Sequence, residues 1–424
     1  MMRRSGVQPD FVFFFAFRWG EKSVQSGEMN ASERWGWEVL YFDFAATAPP
    51  YDDVVDTVAL TMRDYYANPS SLHRPGQVAG MLVQAAREQV AKLLGIKASE
   101  VVFTSGGTES NALAIQGVAR QFGATRGKHI IVSAFEHPSV EAQIQKLAED
   151  GYEITQLPVH ADGLVSIADI QHALREDTIL VSVMHVNSEI GSVQPLAEIG
   201  ALLRGYPKVF FHVDAVQSVG KLPIDMHACG IDLLSASAHK FRGPRGVGLL
   251  LVRDGVELSP MLIGGGQESG LRAGTPNTPA IAGMAKALRL SIEQLGNAFA
   301  HVQALKEHLH HRLSDHQEML GLAFTRNLDP HLTSPYIMHL TAPGLKAQVI
   351  LHALEEDGII VSSRSACSSR DERPSPTLLA IGMTREAALA GIRISFGAIH
   401  TKNDIDVLAD AIIRVITRLR KEEK

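Results

Sequence analysis

The stretch Ile231-Asp-Leu-Leu-Ser-Ala-Ser-Ala-His239-Lys240-Phe-Arg-Gly-Pro-Arg-Gly-Val-Gly248 sets a lysine between two apolar runs. The first run predicts a buried strand, and Val247–Val252 predicts a second strand after a glycine-rich turn. A lysine at a buried strand end is costly to desolvate unless it is paired or neutral. One use for such an amine is attack on a carbonyl to form a Schiff base. The alternative is that Lys240 extends from a loop to the surface.

Strands and helices alternate from about Val101 to Val252, and several of the predicted strands are apolar throughout. This pattern predicts an α/β domain with a mostly parallel sheet of the seven-stranded type, flanked by helices. The residues after about 295 predict a smaller α+β domain. We therefore expect an N-terminal extension outside the fold (1–38), a large domain (39–295) and a small C-terminal domain (296–424).

Several elements are bounded well enough in the sequence for their limits to be predicted. Apolar runs and helical spacing predict strands at His129–Ser133, Thr178–Met184 and Ser334–Leu340, and helices at Val54–Tyr66, Val78–Leu94 and Leu196–Leu203. The segment from Asn68 to Gly76 is rich in residues that break regular structure, and we expect a loop there. Gly95 is placed where a helix C-cap would fall.

Polar residues follow many of these strands. They are Thr108, His137, Asn187, Asp214, Gln217, His239 and Lys240. In open, mostly parallel sheets, ligands bind outside the carboxyl ends of the strands. A single polar residue in a loop is usually just solvated, but seven at one edge of one sheet favour a binding site.

The segment Ser105-Gly-Gly-Thr108 joins a predicted strand to a predicted helix. Such a turn directs free backbone N–H groups to one spot, where the helix dipole also favours an anion. The hydroxyl of Thr108 adds a further donor. The alternative is an ordinary strand-to-helix turn in which Thr108 caps the helix.

These residues match what pyridoxal 5'-phosphate (PLP) needs from a protein. Lys240 can carry the cofactor, Asp214 can pair with its pyridinium nitrogen, Gly107 and Thr108 can bind its phosphate, and His137 can pack on the ring. Further polar residues are available for the ring oxygen (Gln217 and Asn187) and for the phosphate (Ser237 and His239).

Four segments resemble the cysteine desulfurases of the NifS/IscS type, in the class V aminotransferase group. They are Ser105-Gly-Gly-Thr-Glu-Ser-Asn, His185-Val-Asn-Ser-Glu-Ile-Gly, His212-Val-Asp-Ala-Val-Gln-Ser-Val-Gly-Lys-Leu-Pro and Ser237-Ala-His-Lys. The resemblance runs from about Tyr41 to the C-terminus. It implies a PLP enzyme of fold type I that forms a homodimer, in which Thr275 reaches the phosphate of the partner subunit's cofactor.

Two more segments resemble functional parts of that family. Ser363-Arg-Ser-Ala-Cys367-Ser-Ser is similar to the loop with the catalytic cysteine, and Ile392-Arg393-Ile-Ser-Phe to the strand whose arginine binds the substrate carboxylate. The resemblance implies that Lys240 and His137 take part in catalysis on L-cysteine, with Asn187 also near the substrate. Cys367 attacks the substrate sulfur, alanine leaves, and a persulfide remains on Cys367 for a sulfur-acceptor protein.

Composition limits the remaining choices. The formal net charge of -6 gives no reason to expect nucleic acid as a partner, no apolar run approaches the length of a membrane span, and we predict no metal site. The two cysteines, Cys229 and Cys367, exclude a disulfide framework and favour a reducing compartment, the cytoplasm.

Alternative functions on the same scaffold are selenocysteine lyase and another class V PLP aminotransferase. Cys367 argues against a transaminase, since that reaction needs no thiol. A non-catalytic scaffold in sulfur transfer is a third alternative. Loss of Lys240, Asp214 or Cys367 would have indicated such a scaffold, and all three residues are present.

Overall fold

The computed structural model describes residues 39–324, 332–363 and 374–422. The N-terminal extension (1–38) and Cys367 lie outside the described residues. Leu40–Lys424 forms one compact unit. The division into domains at residue 295 stays a prediction.

The strands, numbered in chain order, are β1 (Leu40–Tyr41), β2 (Val101–Thr104), β3 (His129–Ser133), β4 (Glu153–Leu157), β5 (Thr178–Met184), β6 (Phe210–Asp214), β7 (Leu233–Ser237), β8 (Gly248–Val252), β9 (Ala323–Phe324), β10 (Ile337–Thr341), β11 (Ile359–Ile360) and β12 (Gly391–Ser395). The helices are α1 (Asp52–Asp64), α2 (Arg74–Leu94), α3 (Gly107–Phe122), α4 (Pro138–Glu149), α5 (Ile167–Ala173), α6 (Leu196–Leu203), α7 (Thr278–Glu293), α8 (Leu295–Ser314), α9 (Gln317–Leu320), α10 (Ala347–Glu356), α11 (Pro376–Ala380), α12 (Arg385–Leu389) and α13 (Lys402–Glu422).

A seven-stranded sheet with the order β2-β8-β7-β6-β5-β3-β4 forms the centre of the fold. Neighbouring strands from β7 to β4 pair in parallel, and β8 is antiparallel to both β2 and β7. Because β2 and β7 both oppose β8, the carboxyl ends of the other six strands lie at one edge. The prediction of a mostly parallel sheet is confirmed.

Both faces of the central sheet are buried, which accounts for the high apolar content of its strands. Alternate residues of a strand point to opposite faces. Ile131 and Phe211 accordingly belong to one hydrophobic core, and their neighbours Ile130 and Phe210 belong to another. The polar side chains inside the strands pair with one another, since the His212 ring lies 2.8 Å from Ser182 Oγ and 3.0 Å from Ser235 Oγ.

The C-terminal part contains a second, three-stranded antiparallel sheet with the order β12-β10-β9. Leu309 of α8 and Ile412 of α13 pack in its hydrophobic core together with Phe42. Strand β1 pairs in parallel with β11. The segment just after Val39 therefore pairs with a strand of the C-terminal part. The chain then continues to the edge of the central sheet.

Most predicted elements are present within a few residues, but α2 begins earlier than its predicted start at Val78. His73 occupies the N-cap, where its side chain accepts a hydrogen bond from the backbone N–H of Gly76, and a proline follows in the first turn. Both features are helix-start signals, so the end of the predicted loop belongs to the helix. Gly95 is the C-cap as predicted, with φ 68°. None of the helices in the described ranges is long and apolar enough to cross a membrane.

Candidate active site

A cavity of about 250 Å³ opens at the carboxyl ends of the central strands. Six of the seven polar residues predicted for this edge line it, and Asn187 is the exception. The residues that line the cavity are Ala45, Ala46, Gly107, Thr108, Asn111, His137, Ser139, Met184, Val186, Ser188, Asp214, Val216, Gln217, Ser237, His239, Lys240 and Arg393.

Lys240 enters the cavity from a short 3₁₀ turn directly after β7. Its Nζ donates hydrogen bonds to the carbonyl oxygens of Ala45 at 2.6 Å and Ala46 at 2.8 Å. Those carbonyls belong to the segment after β1, so this segment fixes the position of the amine. The alternative of a lysine extending to the surface does not describe this residue, since the amine lines a cavity.

Asp214 is the last residue of β6, and its side chain is 5% exposed. Asn111 Nδ2 donates to Asp214 Oδ2 at 2.7 Å, and the backbone N–H of Val216 donates to Oδ1 at 3.0 Å. Both carboxylate oxygens therefore accept a hydrogen bond, which fixes the plane of the group.

Asn111 also joins Asp214 to His137. Its Nδ2 donates to Ser139 Oγ at 2.9 Å, and Ser139 Oγ lies 2.7 Å from His137 Nδ1. The backbone N–H of Ser139 donates to the same nitrogen at 3.1 Å. Nδ1 is therefore an acceptor, and the ring carries its proton on Nε2. Burial lowers the pKa of His137, and the Lys240 charge lowers it further while Asp214 opposes.

The turn between β2 and α3 brings backbone close to the cavity. Gly106 is the N-cap of α3 and has φ 153°, a conformation that favours glycine. A Cβ on Gly107 would lie 2.8 Å from Val216 Cγ2. Thr108 comes after the N-cap and makes no capping hydrogen bond of its own, so the alternative of Thr108 as the cap does not hold.

Ser237 lies next to this turn, and His239 also lines the cavity. His239 Nδ1 is 3.2 Å from Thr47 Oγ1. Burial, together with the positive charges of Lys240, Lys221 and Arg245, lowers the pKa of His239 to about 4. The imidazole is consequently neutral at physiological pH and acts there as a hydrogen-bonding group.

Arg393 lies in β12 and is 1% exposed, yet its guanidinium reaches the cavity. Nη2 lies 2.6 Å from Asp43 Oδ1, and Nη1 donates to the carbonyl of Ser188 at 2.9 Å. Nε is buried and has no hydrogen-bond partner among the described residues. The C-terminal sheet thus supplies a cation to a cavity that is otherwise lined by the segment after β1 and by residues around the strand ends of the central sheet.

The structure places two predicted site residues outside the lining of this cavity, and it does not describe a third. Asn187 Oδ1 accepts from the backbone N–H groups of Glu189 and Ile190, and its Nδ2 donates to the Phe135 carbonyl. Thr275 lines a separate cavity formed by the glycine-rich loop around Gly264. Cys367 lies outside the described residues. The roles of all three stay predictions.

Sequence reasoning missed Asn111, Ser139, Asp43 and Lys221. Asn111 is the last residue of one of the motif segments, and Lys221 lies within another. A lysine four residues after Gln217 in an otherwise apolar segment was the available signal for a buried amine. Asp43 carried no comparable signal, because its partner Arg393 is 350 residues away in the chain.

Comparisons with known proteins agree with this geometry. Residues 40–408 match the aminotransferase class-V family. The cysteine desulfurase IscS of Aeromonas salmonicida is 43% identical over 387 residues, which cover 90% of this chain and 94% of that protein. A solved NifS-like protein has a TM-score of 0.83 at 33% identity, covering 90% of this chain and all of the other. A solved structure described as SspA in complex with cysteine has a TM-score of 0.73 at 34% identity, covering 85% of this chain and 99% of the other.

These matches define a class V aminotransferase fold, and the cavity described above lies at the strand ends of its central sheet. The chain belongs to this family, among its cysteine desulfurases of the NifS/IscS type.

Proposed function

We propose that this protein is a PLP-dependent cysteine desulfurase that converts L-cysteine to L-alanine and retains the sulfur as an enzyme persulfide. One observation carries the proposal. The amine of Lys240, the carboxylate of Asp214 and the guanidinium of Arg393 line the same cavity. An amine, an acid and a carboxylate-binding cation are the groups that an amino-acid-processing PLP site requires.

The donor set fits PLP. Lys240 would carry the cofactor, Asp214 would pair with the pyridinium nitrogen, and His137 would pack on the ring. Gly107, Thr108, Ser237 and His239 all line the cavity, and the start of α3 offers backbone N–H groups that suit a phosphate. When bound, PLP supplies an electron sink for the electrons of a bond broken at the substrate α-carbon.

The remaining chemistry belongs to residues of this chain. Arg393 would bind the substrate carboxylate, and Lys240, once free, would take the α-proton. The thiolate of Cys367 would attack the substrate sulfur, so that an S–S bond forms as the C–S bond breaks. The electron pair of the C–S bond stays with the substrate carbon, which is protonated to give alanine. Sulfur is thereby transferred without an external oxidant.

The start of the cysteine segment supports this assignment. Ser362 pairs with Arg393 through two backbone hydrogen bonds, at 3.1 Å and 2.6 Å. Cys367 follows Ser363 by four residues, a span of at most about 14 Å when fully extended. This short span limits the distance between Cys367 and Arg393, the residue proposed to bind the substrate carboxylate.

We further propose a homodimer in which Thr275 of one subunit contributes to the phosphate site of the other. Large apolar side chains are exposed in the single chain, among them Tyr66 at 82%, Leu72 at 91% and Ile263 at 88%, and a partner subunit would cover apolar surface of this kind. The persulfide would pass to a sulfur-acceptor protein. Because the reaction needs a free thiol, a reducing compartment such as the cytoplasm suits it.

The test is to incubate purified protein with PLP and L-cysteine and to measure sulfide and alanine together. In the presence of a reductant that releases the persulfide, equal amounts of the two products are expected. A requirement for an amino-group acceptor, with mercaptopyruvate as the product from cysteine, would instead indicate a transaminase, and turnover of selenocysteine alone would indicate a selenocysteine lyase. Borohydride reduction should attach the pyridoxyl group to the peptide that contains Lys240, and label on another lysine would contradict the assignment.

A further inference from the structure

Lys221 is a buried lysine beside the cavity that the proposed reaction does not use. It is 8% exposed, and its Nζ donates to Gln217 Oε1 at 3.2 Å. The same Nζ lies 5.9 Å from the centre of the Tyr336 ring. Burial, together with the positive charges of Lys240 and Arg393, lowers the pKa of Lys221 to about 7. Burying an amine costs free energy, so the contacts of this amine should account for its position.

The contact with Gln217 has a defined direction. A protonated lysine amine only donates hydrogen bonds, so the amide end that faces Lys221 must be the oxygen. The other end of the amide, Nε2, donates to the Ala45 carbonyl at 2.8 Å, and a carbonyl only accepts. The two contacts agree on one orientation of the side-chain amide.

That orientation determines what Gln217 offers to the cavity. The Nε2 group has two hydrogens, and the Ala45 carbonyl accepts one of them. The same carbonyl accepts from Lys240 Nζ at 2.6 Å. Gln217 is therefore held next to the amine proposed to carry PLP, with its N–H end toward that amine and its oxygen turned away.

We propose that Lys221 is a positioning residue that locks the Gln217 amide so that it presents an N–H donor, rather than an oxygen, to an anionic oxygen of the bound cofactor. This inference rests on the proposed PLP site. Without Lys221, only the Ala45 carbonyl opposes rotation of the amide by half a turn, and the rotated amide would direct its oxygen at the cofactor and repel an anion. Both protonation states of the Lys221 amine carry N–H groups, so the contact persists across neutral pH.

The inference is tested by the visible absorption of protein-bound PLP as a function of pH. A hydrogen bond donated to an anionic oxygen stabilises the deprotonated form and lowers the pH midpoint of the spectral change. Lys221→Met removes the donor and keeps a side chain of similar length. We expect the midpoint to rise by about one pH unit, and the affinity of the apoprotein for PLP to fall about tenfold.

The effect must also pass through Gln217. In a Gln217→Leu background, Lys221→Met should leave the midpoint unchanged, because no amide remains to be oriented. A full shift in that background would mean that the lysine charge acts directly, and it would overturn the inference. An unchanged midpoint in the single variant would overturn it as well.

Lys306 provides a matched control. Burial lowers its pKa to about 8, and its Nζ donates to Thr333 Oγ1 at 3.2 Å and to the Ser334 carbonyl at 2.9 Å, away from the residues that line the cavity. Lys306→Met should leave the midpoint where it is. If Lys221→Met does not fold, Lys221→Gln replaces it, with a smaller shift in the same direction expected and no shift counting against the inference. If the unmodified protein gives no visible band with PLP, the proposed function fails rather than this inference.

Discussion

Arg393 and Asp43 form a buried ion pair at the edge of the cavity, with Nη2 2.6 Å from Oδ1. Burial raises the pKa of Asp43, and the Arg393 charge opposes that rise. Arg393 also donates to the Ser188 carbonyl from Nη1. The guanidinium is thus held in place by one acid and one carbonyl, while its Nε hydrogen has no partner among the described residues.

Arg393→Lys should raise the KM for cysteine about tenfold or more, since a lysine cannot reproduce the planar two-bond geometry with a carboxylate. Steady-state kinetics measure this directly. Asp43→Asn is the matched control, because it breaks the ion pair while retaining the guanidinium, and its KM should not rise. If both variants lose stability equally and neither changes KM, the ion pair is the only role of Arg393.

Asp214→Ala should retain bound PLP but lose about a hundredfold or more in kcat, because the carboxylate no longer stabilises charge on the pyridinium nitrogen. Visible absorption reports the retained cofactor, and sulfide release reports turnover. Asn111→Asp disturbs the same carboxylate by placing a second acid 2.7 Å from it, and it should also reduce kcat. Near-normal turnover of Asp214→Ala would refute the assigned role.

The hydrogen bonds to His137 predict a pH effect. Donors to Nδ1 favour the neutral imidazole, so they act with burial to hold the pKa of His137 below its ordinary value. Ser139→Ala removes one donor, and the pKa should rise. The acid limb of the pH profile of kcat/KM should then move to higher pH by up to about one unit. Ser139→Thr keeps the hydroxyl and should leave the limb in place, whereas an unmoved limb in Ser139→Ala would separate His137 from catalysis.

Much of the fold is predictable from local sequence. Strands His129–Ser133 and Thr178–Met184 and helix Leu196–Leu203 have the predicted limits, because each is a short apolar or amphipathic segment between clear breakers. The short helices Gln317–Leu320 and Arg385–Leu389 were not predicted. Segments of this length bury too few residues to show a period, and tertiary contacts decide their conformation.

The site is predictable in outline but not in its connections. Parallel strands bring their carboxyl ends together, so Lys240 and Asp214 could be assigned to one edge without coordinates. The link from Asp214 to Asn111 spans 103 residues, and the link from Lys240 to Ala45 spans 195. Such contacts depend on how segments that are far apart in the chain pack together. A single sequence does not show which of these segments come close in space.

Cys367 is predicted to be the residue that accepts sulfur. The neighbouring Arg364 and Arg370 favour the thiolate, which is the reactive form of a cysteine. Cys367→Ser should keep the visible absorption of bound PLP and still bind cysteine, with a change in that spectrum on addition of the substrate. It should accumulate no persulfide and release no sulfide, because the attacking thiolate is absent. Mass spectrometry after a pulse of cysteine locates the added sulfur.

Cys229 is the control for this prediction. It is a free, partly buried thiol that packs against the core under the central sheet, outside the lining of the cavity. Burial raises the pKa of Cys229, so the thiol form predominates at neutral pH and the residue is a weak nucleophile. Cys229→Ser should therefore remain active. Sulfur found on Cys229 instead of Cys367, or full sulfide release by Cys367→Ser, would show that the persulfide does not form where the family's mechanism requires it.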